Sequence, residues 1–319
     1  MKYLIENVID TKPHCIEFLQ QLGVIPTSKI CPGPLINKQR QGNCGAQMSL
    51  KEVKDRKDNI TWRCRKVHKV QSKGRAYTLK DVKVTVRDDT WLQNCNLTLE
   101  EILLMLYCWA NDFTNAQIEH EVGCSNNTVS KWCYFLRQSC LSYVIDNSEA
   151  IGGPGIEVEI DESKFGRRKY YRGHQVEGQW IFGGRETLDK TKIFMVPVDD
   201  RKKDTLLKLI KKHIKVGSII QSDCWKAYKQ LPKMGYTHVT VNHSKYFKDP
   251  KTGACTNRIE SDWRHAKVAM PTYGVKKGQH DHYLAEFMWR RKYHGQDLFV
   301  KIIKQLNTHH DRKYFKKLP

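Results

Sequence analysis

At Gly152-Gly-Pro-Gly155 the hydrophobic rhythm of the sequence changes. Upstream, Leu99, Ile102, Leu103, Leu106 and Trp109 recur at helical spacing. Downstream, Ile156, Val158 and Ile160 alternate with Glu157, Glu159 and Asp161, the period of a half-buried strand. The glycine-rich stretch between them reads as a linker and a domain boundary. We therefore expect a helical segment over residues 1–30, a small β-rich region over 31–75, a helical domain over 90–148, a mixed-sheet domain over 155–300 and a basic tail over 301–319.

The downstream pattern continues strand by strand. The first strand places Asp161 at its end, on the polar face. Gln179–Phe182 and Lys192–Val198 read as two more strands, giving a three-stranded antiparallel meander. Asp204 is then expected to cap a helix carrying Leu206, Leu207, Ile210 and Ile214. Gly217–Ile220 is a fourth strand with Asp223 directly after it, and Trp225 to Gln230 reads as a helical turn. His238–Val241 is a fifth strand, and Thr256-Asn257 precede a helix holding Glu260, Trp263, Arg264 and Lys267. The expected class is α/β, with an α+β mixed sheet.

Charge narrows the partner. Lys and Arg total 55 against 34 Asp and Glu, a net +21 spread along the 319 residues. Such a protein repels itself unless it meets a polyanion, either nucleic acid or an anionic membrane surface. No apolar run reaches the ~18 residues of a membrane span, and the start, MKYLIENVIDTKPHC, does not look like a signal peptide. Nucleic acid is the expected partner. The eleven cysteines are scattered, several in apolar-periodic segments (Cys108, Cys133, Cys140), which fits reduced thiols of an intracellular protein.

Two upstream regions carry candidate sites. Between Cys31 and Arg75 the chain is basic and turn-rich, and Cys31, Cys44, Cys64 and His68 form a set of soft ligands suited to one structural Zn²⁺ in a ribbon-like unit. The tight Cys-x-x-Cys knuckle is absent, because Cys31 is followed by Pro32-Gly33-Pro34; a basic loop with unpaired thiols is the alternative. Further on, Thr114 can cap a short helix over Asn115 to Glu121, Val122-Gly-Cys124 turns, and Ser125 caps a second helix to about Leu136. That is a helix-turn-helix outline. Ser125, Asn126, Asn127, Thr128 and Lys131 could reach base edges and phosphates, with Val129 and Trp132 facing inward.

Asp161, Asp223 and Glu260 each have an ordinary explanation: a solvated strand end, a helix cap, and a capping box with Asn257. Three carboxylates converging on one point make sense mainly around hard cations. Two Mg²⁺ or Mn²⁺ ions ~3.5–4 Å apart can activate a water or a DNA 3′-hydroxyl. Lys164, Arg167, Arg168 and Lys169 form a basic run suited to phosphates, and Arg264 and Lys267 share a helix face with Glu260. The tail through Arg312–Lys317 is another candidate backbone contact, and His243 could approach the metal site from the fifth strand. Trp225 and Trp263 read as core. Glu162 is expected to point to the opposite sheet face from Asp161.

The stretches Ile160-Asp-Glu-Ser163, Ser222-Asp-Cys-Trp-Lys-Ala-Tyr228 and Thr256-Asn-Arg-Ile-Glu-Ser-Asp-Trp263 resemble the catalytic blocks of Merlin transposases, relatives of the ISXO-like bacterial insertion-sequence transposases. Val241–Ser244, Asp249–Gly253 and Tyr283–Arg290 match the same pattern in order. The resemblance implies a ribonuclease-H-like fold with an Asp-Asp-Glu site, in which Asp161, Asp223 and Glu260 hold the catalytic metals. It also implies binding of double-stranded DNA at terminal inverted repeats, cleavage at the element ends and strand transfer. A homodimer or larger assembly would pair the ends, and the setting would be nuclear, or cytoplasmic in a bacterial host. A ribonuclease-H-like nuclease without strand transfer and a transposase-derived, non-catalytic DNA-binding protein are the alternatives. A zinc-dependent hydrolase would need a His-rich cluster, which the sequence lacks beside the triad.

Overall fold

The computed structural model describes residues 2–36, 39–40, 44–53, 57–72, 75–166, 178–241, 255–271, 275 and 278–308. Arg167, Arg168, Lys169, His243, the Asp249–Gly253 block and the Arg312–Lys317 tail lie outside the described residues. In chain order the elements are α1 (Lys2–Asn7), α2 (Lys12–Gln21), β1 (Leu35–Ile36), β2 (Gln39–Arg40), β3 (Ser49–Glu52), β4 (Ile60–Cys64), β5 (His68–Ser72), β6 (Arg75–Leu79) and β7 (Val82–Thr85). Then come α3 (Leu99–Ala110), α4 (Asn115–Val122), α5 (Asn126–Asp146), β8 (Glu157–Phe165), β9 (Gln179–Glu186), β10 (Ile193–Val198), α6 (Lys203–His213) and β11 (Ile219–Asp223). A 3-10 helix (Lys226–Met234), β12 (Thr237–Val241), α7 (Asn257–Val268), α8 (His280–Lys292) and α9 (Leu298–Thr308) complete the order. The chain is mixed α/β. Among the described residues no helix is long and apolar enough to cross a membrane.

The chain forms two compact units, Met1–Leu136 with Asp297–Pro319, and Arg137–Gln296. In the first, β3, β4 and β7 make an antiparallel sheet, and β5 and β6 a hairpin. The β-rich region therefore runs past the expected limit at residue 75, because β7 is the partner of β4. Arg87 joins this sheet to the segment leading into α3: it pairs with buried Asp58 at 2.5 and 2.7 Å and donates to the carbonyls of Cys95 and Leu97. The ion pair is buried but every partner is hydrogen-bonded, the condition under which burying charge is tolerated. The helices begin where the sequence supplies caps. Thr98 with Glu101 and Thr114 with Gln117 form capping boxes at α3 and α4, and Gly123 ends α4 in the left-handed region at φ 70°. α5 continues well beyond Leu136, to Asp146.

The second unit is built on one sheet of order β10-β9-β8-β11-β12. β8, β9 and β10 pair antiparallel, while β11 runs parallel to both β8 and β12. Both faces are covered. Val158, Ile160, Phe182 and Ile220 pack against Leu206, Leu207 and Ile210 of α6 and Tyr228 and Leu231 of the 3-10 helix. On the other face Phe165, Ile181 and Met195 pack against Ile259, Trp263 and Ala266 of α7 and Leu284 of α8. Burying side chains of this size contributes roughly 1.5–3 kcal/mol each.

Gly152–Gly155 is not a linker. Gly152 N–H donates to Glu186 and Gly153 N–H to Ser218 Oγ, and Ile151 bridges to Ile214, so the stretch is built into the second unit. Gly152 has φ 77° and no room for a Cβ beside Ser218, which is why glycine stands there. Asp204 does not cap α6 either. Lys202 is the N-cap, without a side-chain cap bond, and Asp204 lies in the first turn. Asp200 instead accepts from Lys202 N and Thr205 Oγ1.

Candidate active site

β8 is longer than its apolar alternation suggests, so Asp161 lies in mid-strand and not at a strand end. Strand parity sends Glu159, Asp161, Ser163 and Phe165 to one face. Parallel pairing sets Gln221 of β11 opposite Glu159. Asp223, which ends β11, shares the strand parity of Gln221.

α7 lies along this face in step with β8. Glu159 accepts from the N–H groups of Arg258 and Ile259 at 2.9 and 3.0 Å, Asp161 Oδ2 accepts from Trp263 Nε1 at 3.0 Å, and Ser163 Oγ accepts from Lys267 Nζ at 2.7 Å. Two strand residues advance about 6.6 Å and four helix residues about 6 Å, so the repeats match. Glu260, on the exposed side of α7, lies near enough for its charge to act on Asp161. Thr256 Oγ1 donates to Glu260 Oε1 at 2.9 Å, and Trp225 N–H donates to Asp223 Oδ1 at 3.1 Å. The expected capping box with Asn257 does not form: Thr256 is the N-cap, and Asn257 already belongs to α7.

Charge links Asp161 to both of the other carboxylates. Burial pushes the Asp161 carboxyl up to about 6, and the charges of Asp223 and Glu260 push the same way, against hydrogen bonds from Glu162 N–H and Trp263. Glu162 points to the opposite face, as parity requires, and accepts from Tyr228 Oη. Burial, then the Asp161 and Asp223 charges, push it up to about 8, against the pull of Arg201. The charges of Asp223 and Glu260 act on Asp161, and a hard cation bound beside Asp161 would relieve that repulsion.

Several contributors were not legible beforehand. Glu159 is fully buried under the N-terminus of α7, where Arg258 Nη1 also reaches it at 2.9 Å. Asp262 is fully buried between Arg185, at 3.0 Å, and Arg291. Gly183, the cross-strand partner of Asp161, would place a Cβ 2.5 Å from the Trp263 ring. A glycine inside a strand is the one sequence signal that could have pointed there. Trp263 is buried as expected, but it also serves Asp161. Lys267 is directed back over the sheet, with its Nζ also 5.1 Å from the Phe165 ring, while Arg264 is exposed.

In the first unit, Cys31, Cys44, Cys64 and His68 come together with their ligand atoms all within 4.8 Å of one another. Cys64 ends β4 and His68 opens β5, while Cys31 N–H is tied to Ala46 O at 2.8 Å beside Cys44. Burial pushes the Cys31 thiol up to about 12. Burial also pushes Cys44 up, but the Ala46 N–H and hydrogen bonds from Cys31, His68 and Cys64 outweigh it and bring it down to about 7. Three sulfurs and one imidazole at this range could hold a metal such as zinc.

On α5, Val129 and Trp132 are buried. The polar residues divide. Ser125 Oγ accepts from Thr128 N at 3.4 Å as a local cap. Asn126 is committed elsewhere, its N–H and side-chain amide both donating to Glu119 of α4 at 3.0 and 3.1 Å. Asn127 and Lys131 are exposed one helical turn apart. Lys164 lies over Trp180, with its Nζ 5.6 Å from the ring centroid.

Residues 152–292 match the model of the ISXO2-like transposase domain. A Haemophilus influenzae protein described as an uncharacterized transposase-like protein is 30% identical over 118 residues, covering 37% of this chain and 94% of that one. The matched span contains β8, β11 and α7 with their three carboxylates, and the chain belongs to the ISXO2-like transposase family.

Proposed function

We propose that this family member is a cut-and-paste DNA transposase of the Merlin type, which binds terminal inverted repeats, cleaves DNA at the element ends and joins the freed ends to target DNA. The observation that carries this reading is that the charges of Asp223, at the end of β11, and Glu260, in the first turn of α7, both act on the buried Asp161 carboxyl of β8. The antiparallel meander joined to two parallel strands, with helices on both faces, supports a ribonuclease-H-like catalytic domain. Two bound Mg²⁺ or Mn²⁺ ions would activate the attacking oxygen and steady the leaving one. Trp263 orients Asp161, Thr256 holds Glu260 and the Trp225 amide fixes Asp223.

In the first unit, α4 and α5 with the Gly123 turn support a helix-turn-helix, in which Asn127 and Lys131 are the best-placed DNA contacts. Cys31, Cys44, Cys64 and His68 would hold one structural Zn²⁺. Pairing two element ends calls for a dimer or larger assembly. In a eukaryotic host the work is nuclear.

The test is incubation of the full chain with duplex DNA carrying the repeats that flank its coding region, in Mg²⁺. The parent should cut at the repeat ends and Asp223→Asn should not; equal cutting by both would sink the proposal. A precut end joined to a second duplex separates a transposase from a nuclease.

A further inference from the structure

On the sheet face opposite Asp161, a second group of side chains borders the site. Arg201 leaves β10 just before α6, and its guanidinium carbon lies 3.8 Å from the Trp180 ring centroid and 4.3 Å from that of Trp225. Lys164, the cross-strand partner of Trp180, also approaches that ring. The Trp225 that walls Arg201 is the residue whose N–H fixes Asp223, and the Arg201 charge is felt at Glu162, next to Asp161 in sequence. Through the Trp225 N–H the cluster touches Asp223.

Two indoles hold a guanidinium by its faces and leave its N–H edges for another partner. Among the described residues no carboxylate or carbonyl accepts from Arg201. Neighbouring acids are engaged elsewhere: Asp200 with Lys202 and Thr205, Glu162 with the Tyr228 hydroxyl. Arg201 is half-buried. A planar fork fixed in this way matches an anion that offers two oxygens, as a phosphodiester does.

We propose that Arg201, set between Trp180 and Trp225 and assisted by Lys164, is a phosphodiester clamp for the DNA strand that reaches the carboxylates. The clamp rests on the transposase reading, but it is a binding role separate from metal chemistry. Its test is therefore binding with no divalent cation added, with the full chain and a short fluorescent duplex lacking any terminal repeat, across a salt series. Arg201→Gln should weaken binding about tenfold and reduce the slope of log affinity against log salt by about one. Arg201→Lys keeps the charge without the fork, so it should keep the slope and lose affinity several-fold. If Arg201→Gln fails to fold, Arg201→Lys decides, and full affinity in that variant overturns the clamp. A parent that binds, matched by an Arg201→Gln variant that binds equally, also removes the clamp and leaves the transposase reading standing. A parent that binds no duplex removes both.

Discussion

The indole of Trp263 donates to Oδ2 of Asp161 at 3.0 Å across the space left by Gly183. Gly183 is the residue paired with Asp161 on β9, so the strand partner of a candidate metal ligand lacks a side chain because an α7 ring occupies that volume. Trp263→Phe keeps most of the packing and removes the donor. The expected result is about 1–2 kcal/mol lost from catalysis, a tenfold order of slowing, with modest loss of stability. Gly183→Ala forces the ring away and should cost about 1–3 kcal/mol of folding stability as well. Cleavage rates in Mg²⁺ and denaturant midpoints measure the two effects. Equal cleavage by Trp263→Phe and parent would remove the orienting role.

Glu159 anchors the N-terminus of α7. A fully buried carboxylate at the N-terminus of a helix accepts two backbone N–H groups and a guanidinium. Glu159→Ala leaves those donors without an acceptor, at a cost of about 3–5 kcal/mol. Glu159→Gln keeps an oxygen and should cost less. Hydrogen exchange of the α7 amides is the readout, and slow, parent-like exchange in Glu159→Ala would refute the anchor.

Asp161, expected at a strand end, lies in mid-strand because β8 runs on to Phe165, whereas the positions of Asp223 at a strand end and Glu260 at a helix start could be read from local patterning. Glu159 could not. Its alternation with Val158 and Ile160 suggests a wetted face, yet the helix that covers it lies about a hundred residues later, and a local period contains no information about what packs on it. Gly152–Gly155 misled for a related reason. The same composition serves a flexible joint or a tight turn pressed against Ser218, and only the partner decides. The cysteine cluster was half legible. Its residue types were right, but the irregular spacing becomes a four-ligand set only after the chain brings the start of β5 back beside Cys31.

One zinc per chain is the expected metal content of the first unit, with tetrahedral S₃N coordination. Cys64→Ser removes a ligand at the end of β4, and should lower zinc content and the thermal midpoint together. Chelation should do the same to the parent and add little in the variant. A parent purified without zinc, and indifferent to added zinc in thermal unfolding, would count against the site.

His213 gives the second unit a sensitivity to acid. It ends α6, is 8% exposed and stacks on Phe194 with ring centroids 4.7 Å apart. Its Nε2 has no hydrogen-bond partner among the described residues. Burial, with the Lys212 charge adding, pushes its pKa down to about 4 from 6.5. The folded imidazole therefore stays neutral where the unfolded one takes up a proton. Between those two values the unfolded state binds more protons, so stability falls as pH drops from about 6.5 toward 4 and levels off below. The full loss is on the order of 3 kcal/mol. His213→Phe, which retains a ring against Phe194 and cannot be protonated, should flatten this part of the profile while leaving neutral-pH stability near that of the parent. Urea midpoints at pH 7 and pH 4.5 test it. Parallel declines in parent and variant would assign the acid sensitivity to other groups.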